Sequence, residues 1–385
     1  MRFPRSLPAL LAELVAIPSV SPEGDSGGTV PGEAAIAAYV ADLLRAIGAD
    51  VEIREVEPGR PNVVGRVAAR RRHAPTVALV PHLDTVGVSG MSVPPFVATV
   101  RQGRLYGRGA CDTKGPMAAA LWALRASARD GRAREINVVF VATMGEEELS
   151  AGASALCRSG FKADFAIALE PTGLRVVHAA KGVLRLWAES AGVAAHGATP
   201  ERGRNAIYGA ASFLTACRDR LGPEFARTVH PLLGRASLNV GIIDGGIQLN
   251  VVPARCRVGL DIRTHPYLDA REAQRRVARA ATGMKIKVHR AGPAFVIDRS
   301  NPWAASLAAV GRGYMTVPWF SDANVLNAHG IPAVAFGPGS IAQAHTANEF
   351  IGLAQLEAGG RALEQFLGAP VVREMVSEMA SGRGR

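Results

Sequence analysis

Helix-like and strand-like segments alternate from Pro8 to Val177, and this alternation constrains the fold more than any other feature of the chain. Apolar residues recur at helical spacing near the N-terminus, at 7–17, and again at 32–47, 115–129 and 150–159. Short apolar runs typical of buried strands lie between them, at 50–54, 62–67, 76–80, 136–143 and 165–169. Strands separated by helices predict an α/β domain with a mostly parallel central sheet.

A different order of segments follows Ala180 and predicts an inserted second domain. The pattern indicates strands at 183–190, 236–243, 250–262 and 285–289, with helices at 205–221 and 268–281. The order β-α-β-β-α-β is that of a ferredoxin-like unit. The chain then returns to an α/β pattern, with helical periodicity at 301–312 and 353–367 and an apolar strand at 333–336. We therefore predict an α/β domain from 1–181 and 291–385, interrupted by a ferredoxin-like α+β domain at 182–290.

Charge and composition narrow the partners of the chain. A length of 385 residues suits two domains. The net charge is +11, but aromatic residues are only 5%, whereas nucleic-acid binding usually combines clustered basic residues with aromatic ones. We expect no nucleic-acid partner, and no membrane partner either, because no apolar run approaches the roughly 18–20 residues of a span. The widely spaced Cys111, Cys157, Cys217 and Cys256 favour reduced thiols and a cytoplasmic location.

Polar residues follow three of the predicted strands, at the edge where α/β sheets gather catalytic groups. His82 and Asp84 come after one strand, two residues apart, and would leave the same face of an extended chain. Glu146 and Glu147 come after a second strand, and Glu170 comes after a third. A loop cap at His82 and a solvated acidic loop are the alternative interpretations.

Two turn-rich loops contribute further candidate ligands. Asp112 belongs to a glycine-rich loop that leads into a helix, but the loop lacks the Gly-Lys-Ser/Thr spacing of a phosphate loop. Asp112 is therefore a helix N-cap or a metal ligand. His345 follows a loop of glycine, proline and serine at 337–340.

Together these positions form a set of two histidines and three carboxylates: His82, Asp112, Glu147, Glu170 and His345. Nitrogen and oxygen ligands without sulfur suit zinc, cobalt or manganese. One bridging acid, plus one acid and one histidine per ion, would hold two ions at the roughly 3.5–4 Å separation of two-metal hydrolases. The ions would acidify a bridging water, and Glu146 would be left to take its proton as general base.

With these motifs in this order, the chain resembles the zinc-dependent aminoacylases and peptidases that include acetylornithine deacetylase, succinyl-diaminopimelate desuccinylase and the glutamate carboxypeptidases. The resemblance covers nearly the whole chain. It implies two zinc ions per chain, with cobalt or manganese as possible substitutes. In the family, one ion takes the positions of His82, Asp112 and Glu170, and the other takes those of Asp112, Glu147 and His345.

The resemblance also implies roles for single residues around the ions. Asp112 matches the bridging ligand, Asp84 matches the acid that orients His82, and Glu146 matches the general base. A cis peptide bond is implied directly after Asp112. Gly145 departs from the family, in which an aspartate often precedes the paired glutamates, but the ligand set stays complete.

The inserted domain resembles the lid and dimerisation domain of the family, which implies a homodimer formed through the lid. His196 matches a histidine that reaches an active site, often that of the partner subunit, where an imidazole would stabilise a tetrahedral oxyanion. Asn250 and Arg263 match residues that grip the substrate, and a guanidinium suits a carboxylate. The alternatives are structural: a surface histidine, a turn-capping Asn250, and Arg263 paired with Asp261.

The activity implied by the resemblance is removal of an N-acyl group from an amino acid. The segment 337–346, with Gly337 and Gly339 as predicted substrate-binding residues, looks most like that of acetylornithine deacetylases. A dipeptidase or glutamate carboxypeptidase using the same metals is the first alternative. A catalytically silent dimeric binding protein is the second. The expected ligands are small N-acyl amino acids or dipeptides.

Overall fold

A computed structural model describes residues 2–22, 32–129 and 135–368 of the chain. The described residues divide into two compact units. The described residues of unit 1 lie within Met1–His178, Ile297–Met315 and Ser321–Arg385, and those of unit 2 lie within Ala179–Val296 and Thr316–Phe320. Unit 1 is discontinuous in sequence, because most of unit 2 is a single insertion within it.

Helices and strands alternate along most of the described chain. In chain order the helices are α1 (Leu7–Ala16), α2 (Ala34–Ile47), α3 (Lys114–Arg129), α4 (Ala151–Arg158), α5 (Ala206–Ala216), α6 (Gly222–Arg227), α7 (Ala270–Ala280), α8 (Pro302–Val310), α9 (Asp322–Ala328) and α10 (Leu353–Leu367). The strands are β1 (Asp50–Glu57), β2 (Arg60–Val67), β3 (Thr76–Val80), β4 (Thr99–Arg101), β5 (Arg104–Tyr106), β6 (Asn137–Ala142), β7 (Phe165–Ala168), β8 (Val176–Ala180), β9 (Gly182–Ala191), β10 (Val229–His230), β11 (Gly234–Arg235), β12 (Ser237–Gly245), β13 (Arg255–Thr264), β14 (Met284–Gly292), β15 (Phe295–Val296), β16 (Tyr314–Val317), β17 (Ala333–Ala335) and β18 (Phe350–Gly352).

The main sheet of unit 1 is parallel at its centre. Part of its strand order is β1-β2-β6-β3-β7-β17-β8. The neighbours β6, β3, β7 and β17 are parallel, whereas β1 and β2 at one edge are antiparallel to their neighbours and β8 is antiparallel to β17. This arrangement confirms the predicted α/β class with a largely parallel central sheet.

The central strands are continuously apolar in sequence because helices cover the sheet and shield both faces of these strands from water. All four residues of β7 are buried, and β3 is buried from Val77 to Val80. Helix α2 packs its apolar face against β1 and β2 and is capped by Gly48, whose φ of 89° lies in the left-handed region that favours glycine. Helix α3 packs against α1 and α10. Each fully buried leucine in these helices contributes about 1.5–3 kcal/mol through the hydrophobic effect.

Unit 2 contains a four-stranded antiparallel sheet in the order β12-β13-β9-β14. With α5 and α7 between strands, its elements follow the order β-α-β-β-α-β along the chain, which is the ferredoxin-like arrangement. Alternate residues of β13, such as Val258, Leu260 and Ile262, are buried in a core shared with α5 and α7. The role of this unit as a lid stays a prediction.

One strand boundary in unit 2 was wrong. The strand predicted to begin at residue 250 begins at Arg255. The preceding segment is a loop because its backbone bonds elsewhere: the Val252 N–H donates to the Ala195 carbonyl, and the Pro253 carbonyl accepts from the Ala206 N–H. Pro253 itself has no N–H to offer a neighbouring strand.

Two global properties follow from the described residues. None of their helices combines the length and apolar character needed to cross a bilayer. The four cysteines are buried as free thiols.

Candidate active site

The candidate site lies in unit 1, at the carboxyl ends of the parallel strands. Strands β3, β6 and β7 are neighbours, and a histidine or acidic side chain follows each of them within a few residues. The backbone of His82 bridges in parallel to Thr143, the residue directly after β6. Because these strands end at one edge, the loops carrying His82, Glu147 and Glu170 meet there.

The five candidate ligands form two overlapping groups. His82, Asp112 and Glu170 offer ligand atoms that all lie within 4.8 Å of one another, and so do Asp112, Glu147 and His345. Asp112 belongs to both groups and turns one oxygen toward each histidine: Oδ1 is 3.1 Å from His82 Nε2, and Oδ2 is 3.5 Å from His345 Nε2. The structure thus brings all five side chains together, with Asp112 in the middle.

His345 differs from the other candidate ligands in its exposure and its backbone. Its side chain is half exposed, and its Nε2 lies 3.0 Å from Glu147 Oε2. Its φ of 61° is uncommon for a residue with a side chain. The peptide bond between Asp112 and Thr113 is cis, as the resemblance implied.

Burial and mutual charge shift the pKa values of this cluster in opposite directions. Burial, followed by the charge of Asp112, raises the pKa of the Glu170 carboxyl well above its usual range, and burial also raises the pKa of Glu147. Burial acts against the charged form of Asp112, but hydrogen bonds to His345 and His82 outweigh it and lower the pKa of that carboxyl. Hydrogen bonds to Asp112 and Glu147 raise the pKa of His345 to about 10.

This donor set fits a pair of divalent cations. Ionised carboxylates that are crowded and buried are costly unless a positive charge compensates them. Two imidazole nitrogens and three carboxylates supply the nitrogen and oxygen donors that zinc, cobalt and manganese accept. A shared carboxylate with one oxygen directed to each group is the arrangement that bridges two ions.

Asp84 connects His82 to the acidic loop after β6. The His82 Nδ1–H donates to the Asp84 backbone carbonyl at 2.9 Å, and the Asp84 carboxylate lies 3.4 Å from the same nitrogen. This tautomer leaves Nε2 of His82 facing Asp112. The Asp84 carboxylate also accepts from the backbone N–H groups of Glu146 and Glu147, at 3.0 and 3.1 Å. The predicted orienting acid thus contacts three candidate site residues.

Glu146 is buried in the same loop but belongs to neither candidate ligand group. Its negative charge is one of the causes that raise the pKa of Glu170, so the two carboxylates lie close enough to interact. Glu148, the third acid of the loop, accepts a hydrogen bond from the Ser21 hydroxyl.

Gly145, the position that departs from the family, lies beside Arg60. Its φ is 64°, and a Cβ placed there would lie 3.3 Å from a guanidinium nitrogen of Arg60. That guanidinium makes a two-pronged ion pair with the buried Glu33 and also contacts Glu57. Carboxylates from other segments therefore already satisfy the arginine that an aspartate at 145 would meet.

The predicted substrate-binding glycines pack tightly against the ligand loops. A Cβ at Gly337 would lie 2.7 Å from the Glu170 carbonyl oxygen, and one at Gly339 would lie 2.8 Å from Cys111 Sγ. Gly339 also has a φ of 98°. Close packing is a structural reason for glycine at both positions, and their contact with substrate stays a prediction.

His196 and Asn250 lie side by side in unit 2. His196 pairs with Val251 in an antiparallel bridge, and the Gly197 N–H donates to the Asn250 carbonyl at 2.7 Å. Both residues are exposed. His196 Nδ1 accepts from the Ala198 N–H at 3.1 Å, so a neutral imidazole carries its proton on Nε2.

Arg263 is paired with an acid of its own strand. Its Nε and one terminal nitrogen donate to the two carboxylate oxygens of Asp261, at 2.7 and 3.2 Å, and Arg185 donates to the same carboxylate. This ion pair is the structural alternative to substrate binding that the sequence left open for Arg263. Two guanidiniums share one carboxylate, so the cluster keeps excess positive charge, and the grip of Arg263 on a substrate carboxylate stays a prediction.

Sequence reasoning overlooked two buried carboxylates that contact the site loops. Asp322, at the start of α9, accepts from the Thr143 hydroxyl at 2.7 Å, beside the backbone that carries His82. Glu349 contacts the loop that carries Asp112. The only available signals were a Ser-Asp pair before a helix and an acid four residues after His345.

Comparison with protein families gives one extended match. Residues 78–369 match the family model described as peptidase family M20/M25/M40. An acetylornithine deacetylase of Proteus mirabilis is 29% identical over 90% of this chain and 92% of its own length. One of Myxococcus xanthus is 32% identical over 71% of this chain and 75% of its own length. A probable succinyl-diaminopimelate desuccinylase of Staphylococcus epidermidis is 25% identical over 89% of this chain and 92% of its own.

Solved structures share the fold over nearly the whole chain. A tripeptidase of Staphylococcus aureus superimposes with a TM-score of 0.75 and 25% identity, covering 95% of this chain and 98% of that one. The dipeptidase Dug1p of Saccharomyces cerevisiae superimposes with a TM-score of 0.78 at 15% identity, covering 96% of both chains.

Proposed function

Because the chain belongs to peptidase family M20/M25/M40, and is accordingly a hydrolase of amide or peptide bonds, we propose that it removes the acyl group from N-acyl amino acids. The observation that carries this proposal is the position of Asp112 between two ligand groups, with Glu146 buried beside them. The acetylornithine deacetylases among its relatives favour N-acetylornithine as the substrate to test first.

Two zinc ions, with cobalt or manganese as substitutes, would be held by His82, Asp112 and Glu170 and by Asp112, Glu147 and His345. When bound, such ions supply Lewis acidity, which polarises a carbonyl and lowers the pKa of water. Asp84 would keep Nε2 of His82 directed at its ion and would fix the loop that carries Glu146 and Glu147.

Glu146 would serve as the general base and then as the general acid. Its carboxylate would take a proton from the attacking water and deliver it to the nitrogen of the departing amine. Its backbone N–H is held by Asp84, so the carboxylate starts from a fixed main chain. The Nε2–H of His196 would donate to the oxyanion that develops on the substrate carbonyl oxygen.

A peptidase is the competing function. The tripeptidase of Staphylococcus aureus shares the fold at 25% identity, and the same candidate ligands would serve a dipeptidase or a glutamate carboxypeptidase. A silent binding protein is disfavoured, because both ligand groups and Glu146 are complete. The free, buried cysteines support a cytoplasmic location.

A substrate panel separates these functions. We expect the zinc-loaded protein to hydrolyse N-acetylornithine with a kcat/KM at least about tenfold above that for any dipeptide, a difference of roughly 1.4 kcal/mol in transition-state binding. The measurement is release of free amine from N-acetylornithine, N-succinyl-diaminopimelate, N-acyl glutamate and a set of dipeptides. Enzyme treated with chelator is the blank. Faster hydrolysis of a dipeptide would replace deacylation with the peptidase function, and no turnover at two bound zinc ions would favour the binding protein.

We further propose a homodimer formed through unit 2. Strand β12 is at the edge of its four-stranded sheet, and it exposes Ile242 and Ile243. An apolar edge strand favours pairing with another strand, here β12 of a second copy. The exposed Tyr208 on α5 adds apolar surface in the same unit.

Charge placed on that edge is expected to yield monomers. We predict that Ile243→Lys lowers the sedimentation coefficient from that of a dimer to that of a monomer, because a lysine on an edge strand opposes its pairing with another strand. Ile53→Lys is the matched control, since Ile53 is similarly exposed on β1, an edge strand of unit 1. Dimers of Ile243→Lys, or monomers of the unsubstituted protein, would refute this interface.

A further inference from the structure

Glu349 is a buried acid that lies outside both candidate ligand groups. It lies four residues after His345 and directly before β18, and it is only 1% exposed. A buried carboxylate without partners costs several kcal/mol, so its hydrogen bonds indicate what it does in the fold.

In the described part of the chain, this carboxylate accepts hydrogen bonds from the loop that carries Asp112. Oε1 accepts from the backbone N–H groups of Cys111 and Asp112, at 2.9 and 3.0 Å. Oε2 accepts from the Gly109 N–H at 3.1 Å and from the Arg108 guanidinium at 2.7 Å. One carboxylate thus receives four donors from four residues of the segment 108–112.

The loop needs such an acceptor because its N–H groups converge. Gly107 and Gly109 have φ values of 151° and 79°, which favour glycine, and in the loop that they shape the N–H groups of Gly109, Cys111 and Asp112 converge on one point. Converging N–H groups form a concave anion site, and here the anion is a side chain of the protein. With both oxygens engaged, the carboxylate fixes the main chain at Asp112 and thereby the origin of its side chain.

The same segment also connects Asp112 to His345. The Gly107 N–H donates to the Glu349 backbone carbonyl at 3.1 Å, and Phe350 pairs with Tyr106 between β18 and β5. A shift of Glu349 would therefore move Asp112 relative to His345 as well as His82. Both histidines contact Asp112: its Oδ1 lies 3.1 Å from His82 Nε2, and its Oδ2 lies 3.5 Å from His345 Nε2.

We propose that Glu349 is a positioning residue that sets the geometry of the bridging ligand Asp112 and thereby the affinity of both metal positions. This role rests on the proposed function only in taking Asp112 as the bridging ligand. Glu349 touches neither ion nor substrate in the proposal, and it acts through the backbone of Asp112.

The test is the zinc affinity of Glu349→Gln, measured by competition with a chelator. Glutamine keeps one acceptor oxygen for Cys111 and Asp112, but its amide N–H₂ faces the Gly109 N–H and the Arg108 guanidinium, which are donors too. We expect zinc affinity at both positions to fall by roughly 10–100-fold, the usual effect of losing a partner behind the ligands. Glu357→Gln, on the exposed face of α10, is the matched control and should bind zinc like the unsubstituted chain.

Further measurements separate positioning from simple destabilisation. Unchanged zinc affinity in Glu349→Gln with a lowered melting temperature would overturn the proposal and leave only a structural role. If this variant does not fold, Glu349→Asp decides, because it keeps the charge but withdraws the carboxylate by one methylene. Zinc affinity at least about tenfold below that of the unsubstituted chain supports the proposal, and equal affinity overturns it. Two bound zinc ions without any hydrolysis in the unsubstituted chain would refute the proposed function alone, whereas failure of that chain to bind zinc would refute both.

Discussion

Replacement of Glu146 with alanine is expected to lower kcat by roughly 10²–10⁴-fold, the range that general acid–base catalysis contributes. Glu146 lies in neither ligand group, so the variant should retain two zinc ions per chain. Alanine keeps the backbone N–H that donates to Asp84, and the acidic loop should therefore keep its place. The lower kcat would then reflect impaired proton transfer rather than a change in the fold or in metal binding. The measurements are kcat on the best substrate of the panel and zinc content by elemental analysis.

A neighbouring acid of the same loop supplies the control. Glu148→Gln keeps an oxygen that accepts from the Ser21 hydroxyl and removes no candidate ligand, so we expect its kcat to stay within about threefold of that of the unsubstituted chain. Full activity of Glu146→Ala would refute the assignment of the base. Loss of zinc from Glu146→Ala would instead make Glu146 a ligand or a support of one.

The fold class was predictable because the central elements have strong local patterns. The strand predicted at 76–80 and the helix predicted at 353–367 have the bounds that the structure shows. A strand buried on both faces must be apolar throughout, and a long amphipathic helix must repeat its apolar residues every three or four positions. In such segments the local sequence already contains the information that decides the structure.

The small sheet of β4, β5 and β18 had no such signal. Each strand has three residues, and β4 is exposed throughout. Its stability depends on contacts between strands: Arg101 of β4 lies over the Tyr106 ring of β5 at 4.3 Å, and Arg104 of β5 lies over the ring of the distant Phe350 in β18 at 4.4 Å. Contacts of this kind exist only after the chain has folded, so periodicity in one segment does not predict them.

The candidate ligands also differ in how well the sequence predicts their place in the fold. His82, Glu147 and Glu170 follow strands, and the topology of a parallel sheet alone brings such residues together. Asp112 and His345 come from loops, so strand topology does not place them; the chemistry of their side chains suggested the set of five, and the family resemblance assigned each residue to an ion. Glu349 had neither signal, because a buried acid is recognised by its partners, and those partners are backbone N–H groups that no residue letter reveals.

Substitution of Asp112 with asparagine is expected to abolish the binding of both zinc ions, whereas Glu170→Gln should remove only one. Asp112 is the shared member of the two ligand groups, and Glu170 belongs to one of them. An amide is a weak ligand with one oxygen, so it does not bridge as a carboxylate does. Zinc content per chain, measured after zinc loading and gel filtration, should be two for the unsubstituted protein, one for Glu170→Gln and near zero for Asp112→Asn.

The stability of Asp112→Asn should depend on whether zinc is present, and this dependence is the sharper test. An ion that binds only the native state at 1,000 times its Kd stabilises it by about 4.1 kcal/mol, so the variant should lose most of the zinc-induced rise in melting temperature. In chelator the effect should be much smaller, because two changes oppose each other. The variant keeps only one acceptor oxygen for His82 and His345, but it also removes a charge that raises the pKa values of Glu147 and Glu170. A melting temperature equally lowered with and without zinc would show that Asp112 supports the fold rather than the ions.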